Sequence, residues 1–299
     1  MSQIKKITHA DRIYTLDPQK KPAIYIDSGE ELWVDTIDAF EGIREPEPLL
    51  ALKNNGAATG PIYINGAEPG DSIQIDFISI TPKGNGSHMI LPKRGFLMDE
   101  MPGPYPTTVT FKDGFAVLPS GIQLPLAPSM GVVATTPLYS QLTASDSGAY
   151  GGDIDMKELV AGTSLILPVF VPGALLAMGD CHAIVGDGAV AGTGIECSSD
   201  TLIRVTVHKG KTIPGPRAIT QDHFWTLSYG EDLHKAMSQS VRNMVDFLVK
   251  EKGMQPYDAY TLSSLAGDSR INRTFRKINA VKMRISRHAL DQVDKLRTG

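Results

Sequence analysis

Glycine and proline interrupt this chain at short intervals up to about residue 230, and the runs between them are β-branched or alternate apolar with polar residues. Ser72-Ile73-Gln74-Ile75-Asp76-Phe77-Ile78-Ser79-Ile80 and Thr201-Leu202-Ile203-Arg204-Val205-Thr206-Val207 carry the two-residue period of a strand. Tyr63-Ile64-Asn65 and Val109-Thr110-Phe111 are shorter pieces of the same kind. Twenty prolines and 29 glycines supply the many tight turns that such strands need. One turn recurs: Asp27-Ser28-Gly29, Glu68-Pro69-Gly70-Asp71 and Val171-Pro172-Gly173 each launch an apolar strand, with Pro presetting φ and Gly tolerating φ > 0. These runs predict a mainly β fold, a β-sandwich or barrel-like core.

The last third differs. From Asp232 to Lys252, Leu233, Met237, Val241, Met244, Val245 and Leu248 recur at helical steps, and Gly253 follows as a stop. Pro256 opens a second helix that ends near Gly267. Val281, Met283 and Ile285 then alternate with Lys282, Arg284 and Ser286, as in a closing strand. C-terminal helices are therefore expected to pack on the sheet. With 299 residues, the chain suits one unit over 1–299, or two closely joined β lobes at about 1–145 and 146–299.

A net charge of −4 without a basic block argues against nucleic acid and anionic membrane as partners. The longest apolar stretch, about Leu165 to Gly179, is broken by Pro168, Pro172 and Gly173 and falls short of the roughly 20 residues that span a bilayer. Met1-Ser2-Gln3-Ile4-Lys5-Lys6 does not read as a signal peptide. Cys181 and Cys197 form neither a disulfide framework nor a metal-type pair. A soluble, cytoplasmic protein is expected.

Residues 151–196 carry the chemistry. Gly151-Gly152-Asp153-Ile154-Asp155, Gly179-Asp180-Cys181-His182-Ala183, Gly186-Asp187-Gly188 and Gly194-Ile195-Glu196 set acids and one histidine among glycines on an apolar background. Residues two apart in a strand share a face, roughly 6.5–7 Å apart, so Asp153 with Asp155 and Asp180 with His182 would each present a polar pair. His182 reads as a ligand or acid/base group with Asp180 as its neighbour. Glu196 would be costly if buried without a partner, which favours a functional role. Asp187 reads better as a turn cap, and Asp180 is open to the same reading. The other histidines lack such a setting. No Gly-x-Ser-x-Gly elbow is present. Cys181 and His182, as strand neighbours, should face opposite ways and make a poor nucleophile–base pair.

Several blocks, in order, resemble the acetamidase/formamidase family: Thr59-Gly60-Pro61-Ile62-Tyr63-Ile64-Asn65-Gly66-Ala67-Glu68-Pro69-Gly70-Asp71, Gly-Gly-x-x-Asp at 151–155, Gly-Asp-x-His-Ala at 179–183, Gly-Asp-Gly at 186–188, and Asp258-Ala259-Tyr260 with Gly267-Asp268. The resemblance implies hydrolysis of a short amide such as formamide or acetamide to its acid and ammonia, on a mainly β fold. It also places an acid at Asp38, after the first long strand. Two departures stand out: Asp153 where the family usually has asparagine, and Ala189 where it commonly has glutamate.

Amide hydrolysis needs an activated water, oxyanion stabilisation and an acid for departing ammonia. The catalytic candidates are His182, Asp180, Glu196 and Asp155. Asp38, Asp153 and His182 are the expected ligands of a divalent metal, Zn²⁺ before Ca²⁺ or Mn²⁺, because the donors are mostly oxygen with one nitrogen. The alternative is a non-catalytic β-sandwich binding module with a structural Ca²⁺ site. The apolar Phe96-Leu97-Met98 predicts a homodimer.

Overall fold

In the computed structural model, which describes residues 3–51, 56–139, 142–274 and 277–298, the alternating run after Asp71 forms part of a single long strand. Strands β1 (Glu31–Thr36) and β2 (Ala58–Ile64) precede that strand, β3 (Ser72–Ile90), and β4 (Tyr105–Lys112) follows it. Next come β5 (Ser129–Ala134), β6 (Gly151–Asp153), β7 (Thr163–Pro168), β8 (Leu176–His182) and β9 (Glu196–His208). The protein is mainly β, as expected, and its sheet curls around one main apolar core.

The spine is the antiparallel pair β3 and β9, running from Ser72↔His208 to Ser87↔Glu196. The turn that launches β3 is locked by Asp71, whose carboxylate accepts from Glu68 N at 2.8 Å and Gly210 N at 2.7 Å and pairs with Lys209 at 2.6 Å. From β3, Ile73, Ile75 and Phe77 enter the core beside Ile203 and Val205 of β9 and Leu165 and Leu167 of β7. Each such side chain contributes roughly 1.5–3 kcal/mol by leaving water. Strand β8 pairs with β5 on one side and β2 on the other, and its end meets the start of β9 through Cys181↔Cys197 and His182↔Glu196. Every position of β8 is buried, with Leu176, Met178 and Cys181 in the main apolar core and Asp180 and His182 at its end lining the site.

The C-terminal layer contains β10 (Arg217–Ile219), β11 (His223–Gly230), β12 (Gly267–Arg273) and β13 (Asn279–Ser286). The α-helices among the described residues are the short α1 (Pro46–Leu50), then α2 (Leu233–Lys250), α3 (Pro256–Ala266) and α4 (Arg287–Thr298). Asp232 caps α2 by accepting from Lys235 N at 2.7 Å, and the apolar stripe buries Met244, Phe247 and Leu248 against Phe224, Met283 and Ile285. Strand β12, a pairing partner of β13, was not foreseen because its polar residues hide the alternation.

The closing strand differs from expectation at one residue. Lys282 is wholly buried, held by Glu158 at 2.5 Å and Asp187 at 2.8 Å, with its ammonium 5.4 Å from the Trp225 ring centre. Both faces of β13 are therefore covered. Among the described residues, no helix is long and apolar enough to cross a membrane.

Candidate active site

Three strand ends converge. Asp153 closes β6, which lies on β5; Asp180 and His182 end β8 on the other side of β5; and Glu196 opens β9 opposite His182. Asp155 (φ 50°) and Asp180 (φ 57°) both take left-handed backbone. Such residues are uncommon outside glycine, and they gather where a side chain must be aimed.

His182 is the hub. Its Nε2 lies 3.3 Å from Glu196 Oε1 and 3.8 Å from Asp180 Oδ1, and its Nδ1 lies 3.9 Å from Asp155 Oδ1. The ring is 3% exposed and sits between two glycines. A Cβ on Gly131 would come within 2.7 Å of His182 Cε1, and one on Gly194 within 2.8 Å of His182 Cδ2. Gly194 also donates its N–H to Glu196 Oε1 at 3.0 Å, which orients that carboxylate toward the ring.

Behind the acids stands Arg273, the last residue of β12 and 1% exposed. Its Nε is 3.1 Å from Asp155 Oδ2, and its Nη2 is 3.8 Å from Asp153 Oδ2. Sequence reasoning missed it: an arginine between Asn272 and Thr274, more than a hundred residues from its partners, carries no local mark.

Burial and crowding set the charges. Burial, reinforced by Asp153, pushes the Asp155 carboxyl up to about 7, against the opposing pull of His182 and Arg273. Burial and the facing Glu196 hold Asp180 well above the usual carboxylate range. For His182, burial disfavours the imidazolium, but Glu196 and Asp180 outweigh it and hold the group well above its ordinary value. Burial would raise Glu196, yet His182 and the Gly194 N–H bring it below the usual range. A carboxyl pushed up at Asp180 beside one brought down at Glu196 is the kind of split that separates acid from base in one site.

These groups form the floor of a cleft of about 230 Å³. That volume equals about eight waters at roughly 30 Å³ each, enough for a molecule of a few heavy atoms. Phe40, Leu49 and Leu91 make apolar walls, and Ala189, with φ 41°, lines the cleft as well.

Among the described residues, Asp155, Asp180 and His182 are grouped closely enough to hold a metal, their ligand atoms lying within 4.8 Å of one another. His182 Nδ1 and Glu196 Oε2 are buried without a hydrogen-bond partner. A donor set with spare buried ligand atoms fits a cation, which would satisfy them.

The expected ligands Asp38 and Asp153 lie outside that group. Asp38 is turned away, bound to Arg44 at 2.9 Å and to Phe40 N at 2.9 Å. Asp187 serves a partly exposed ion cluster, pairing with Lys157, Arg270 and the buried Lys282 at 3.1, 3.2 and 2.8 Å, which corrects its reading as a simple turn cap. Asp35 is buried between Lys83 at 2.5 Å and His9 at 3.0 Å, away from the cleft-lining residues. Cys181 faces Cys197, sulfur to sulfur at 3.7 Å, on the opposite side of β8 from the cleft.

The model of the acetamidase/formamidase family matches residues 11–147 and 143–286. This chain belongs to the acetamidase/formamidase family. The acetamidase of Mycolicibacterium smegmatis is 28% identical over 217 residues, covering 51% of this chain and 53% of that one. A Schizosaccharomyces pombe protein with a provisional formamidase name is 26% identical over 250 residues, covering 62% and 61%. The chain thus spans only about half to three-fifths of the curated relatives it matches. The likeness to a solved structure is more complete. A recombinant Thermoanaerobacter tengcongensis protein, described from prediction as an acetamidase/formamidase, superposes with a TM-score of 0.92 at 30% identity, covering 98% of this chain and 99% of that one.

Proposed function

We propose that the cleft hydrolyses a short linear amide of the formamide or acetamide class to carboxylate and ammonia. The observation that carries this reading is His182 set among Asp155, Asp180 and Glu196 on the floor of a cleft sized for a few heavy atoms. Family membership supports the reaction class.

The chain's own groups divide the work. Glu196, ionised and 3.3 Å from His182, accepts the proton of an attacking water. Asp180, which keeps its proton, donates it to the departing nitrogen. His182 is held charged by its neighbours and faces the negative charge that develops on the carbonyl oxygen. Phe40 and Leu49 exclude bulk water from one side, which strengthens each of these interactions.

In a metal-loaded form the proton roles given above to Asp180 and His182 would give way: Asp155, Asp180 and His182, deprotonated, would hold a divalent metal, Zn²⁺ before Ca²⁺ or Mn²⁺, since a neutral imidazole with two carboxylates suits zinc. When bound, that ion supplies Lewis acidity and an acidified water at neutral pH. The nitrogen ligand argues against the non-catalytic Ca²⁺ module, because calcium sites take six to eight oxygens. The exposed run Phe96, Leu97 and Met98 supports self-association as a homodimer. Two buried thiols suit the cytosol.

The test is ammonia release from formamide, acetamide and propionamide by purified protein, before and after chelation, alongside elemental analysis. The reading expects turnover of at least one of these amides. A bound divalent ion at about one per chain, with activity lost on chelation and restored by zinc, supports the metal form. Full activity with less than about 0.1 ion per chain leaves the carboxylate and histidine form alone.

A further inference from the structure

We infer that Arg273 is a positioning residue for the proposed hydrolysis, and that it ties assembly of the site to docking of the C-terminal layer. The inference rests on the reading of Asp155 as a working group of the cleft. The two oxygens of Asp155 have different neighbours: Oδ2 is 3.1 Å from Arg273 Nε, and Oδ1 is 3.9 Å from His182 Nδ1. An ion pair on one oxygen biases the orientation of the carboxylate and so which oxygen faces the cleft. A planar guanidinium with donors on a rigid fork does this better than an ammonium on a flexible stem.

The guanidinium is itself fixed from several directions. Its Nη2 donates to Ser147 Oγ at 2.7 Å and to the Asp153 carbonyl at 3.1 Å, and its Nη1 reaches the Ile278 carbonyl at 3.5 Å. The preceding residue continues the grip. Asn272 Nδ2 donates to the Ile154 carbonyl at 3.3 Å, and the Asn272 carbonyl accepts from Gly188 N at 2.7 Å. Gly188 also forms a bridge with Arg273, one residue before cleft-lining Ala189. The end of β12 therefore holds the two segments that bring Asp155 and Ala189 to the cleft, 153–155 and 188–189, although it comes from the C-terminal layer.

A residue that only stabilised the fold would lower Tm and leave turnover per folded molecule alone. A positioning residue separates kcat from KM. The experiment compares wild type, Arg273→Ala and Arg273→Lys for Tm, for kcat and KM with the best amide substrate, and for zinc affinity by competition with a chromogenic chelator. The expected result is kcat down about 10–100-fold in Arg273→Ala, with zinc affinity weakened on the same scale. KM should move less than about threefold, since the cleft walls that contact substrate are other residues. Arg273→Lys should fall between the two. Guanidinium at low millimolar concentration should restore part of the Arg273→Ala turnover and none of any wild-type deficit.

Should Arg273→Ala not fold, Ser147→Ala removes one anchor of the guanidinium and should lower kcat several-fold with KM held. Variants of lower Tm with wild-type kcat and zinc affinity overturn the inference and leave the proposed function standing. A wild-type protein that turns over none of the amides and binds no zinc overturns both.

Discussion

At the residue scale, the tolerance of the site is set by what is missing around His182. Gly131 admits the ring because it has no Cβ; an added methyl would meet the Asp180 carbonyl at 2.5 Å and His182 Cε1 at 2.7 Å. Gly131→Ala is therefore expected to cost about 1–3 kcal/mol of stability through overpacking. Misplacing the ring by about 1 Å should reduce kcat by up to about 10²-fold. Urea denaturation and turnover on the same sample check both figures, and a variant with wild-type turnover would show that the ring needs no such room. Ala189 is the second test, since it lines the cleft where the family commonly has glutamate. The alanine leaves room for an acyl chain, and a methylene-sized contact is worth about 1–3 kcal/mol, so Ala189→Glu should shift kcat/KM from propionamide toward formamide about 10–200-fold. Unchanged ratios in the folded variant would make the position a turn residue only. Asp155, Asp180, His182 and Glu196 were legible as site candidates because acids and a histidine among glycines have no place in an apolar core. Arg273 and the clearance at Gly131 were not legible, because both depend on partners brought together from distant strands.

At the element scale, the spine strand β3 depends on the turn that starts it, and the turn depends on Asp71. Its carboxylate would be raised by burial, but Lys209 and the Gly210 and Glu68 N–H groups outweigh that and hold it below the usual aspartate range. A depressed folded-state pKa contributes stability that is fully present above the unfolded value, near 3.9, and is lost as pH falls through the folded value. Wild-type protein should therefore lose stability below about pH 4, and Asp71→Asn should show a smaller loss across that window while being about 1.5–3 kcal/mol less stable at pH 7. Urea midpoints at pH 7, 5 and 3.5 measure it; identical pH slopes in the two proteins would contradict the lock. The strands launched by such turns were readable from period, as was α2 from its apolar stripe. Strand β12 was not, since Asp268, Arg270 and Arg273 serve ion pairs with Arg284, Glu158, Asp187 and Asp155, so its polar pattern follows partners as well as water. The same cause buried Lys282, whose charge is met by Glu158 and Asp187.

At the scale of the whole molecule, the floor of the cleft comes from residues 155–196, its apolar walls come from the N-terminal half through Phe40, Leu49 and Leu91, and Arg273 of the C-terminal layer stands behind it. The mainly β class and the C-terminal helices could be read from turn spacing and helical period. That His182 faces Glu196 across strands, and that Asp38 and Asp153 stand outside the group of possible metal ligands, could not, because pairing across β5, β8 and β9 is long-range. The proposed homodimer is tested by Phe96→Asp with Leu97→Asp, residues that are 57% and 54% exposed; sedimentation should show a dimer for wild type and a monomer for the double variant. A wild-type monomer would contradict that assembly. The claim on which the rest depends is that His182 works at the centre of an amide-hydrolysing cleft. The direct measurement is ammonia release from formamide and acetamide by wild type and His182→Ala at equal concentration, with circular dichroism on both. The account predicts turnover by the wild type and at least about a 10²-fold lower kcat in a His182→Ala protein of unchanged spectrum. Equal turnover by the two folded proteins would contradict it.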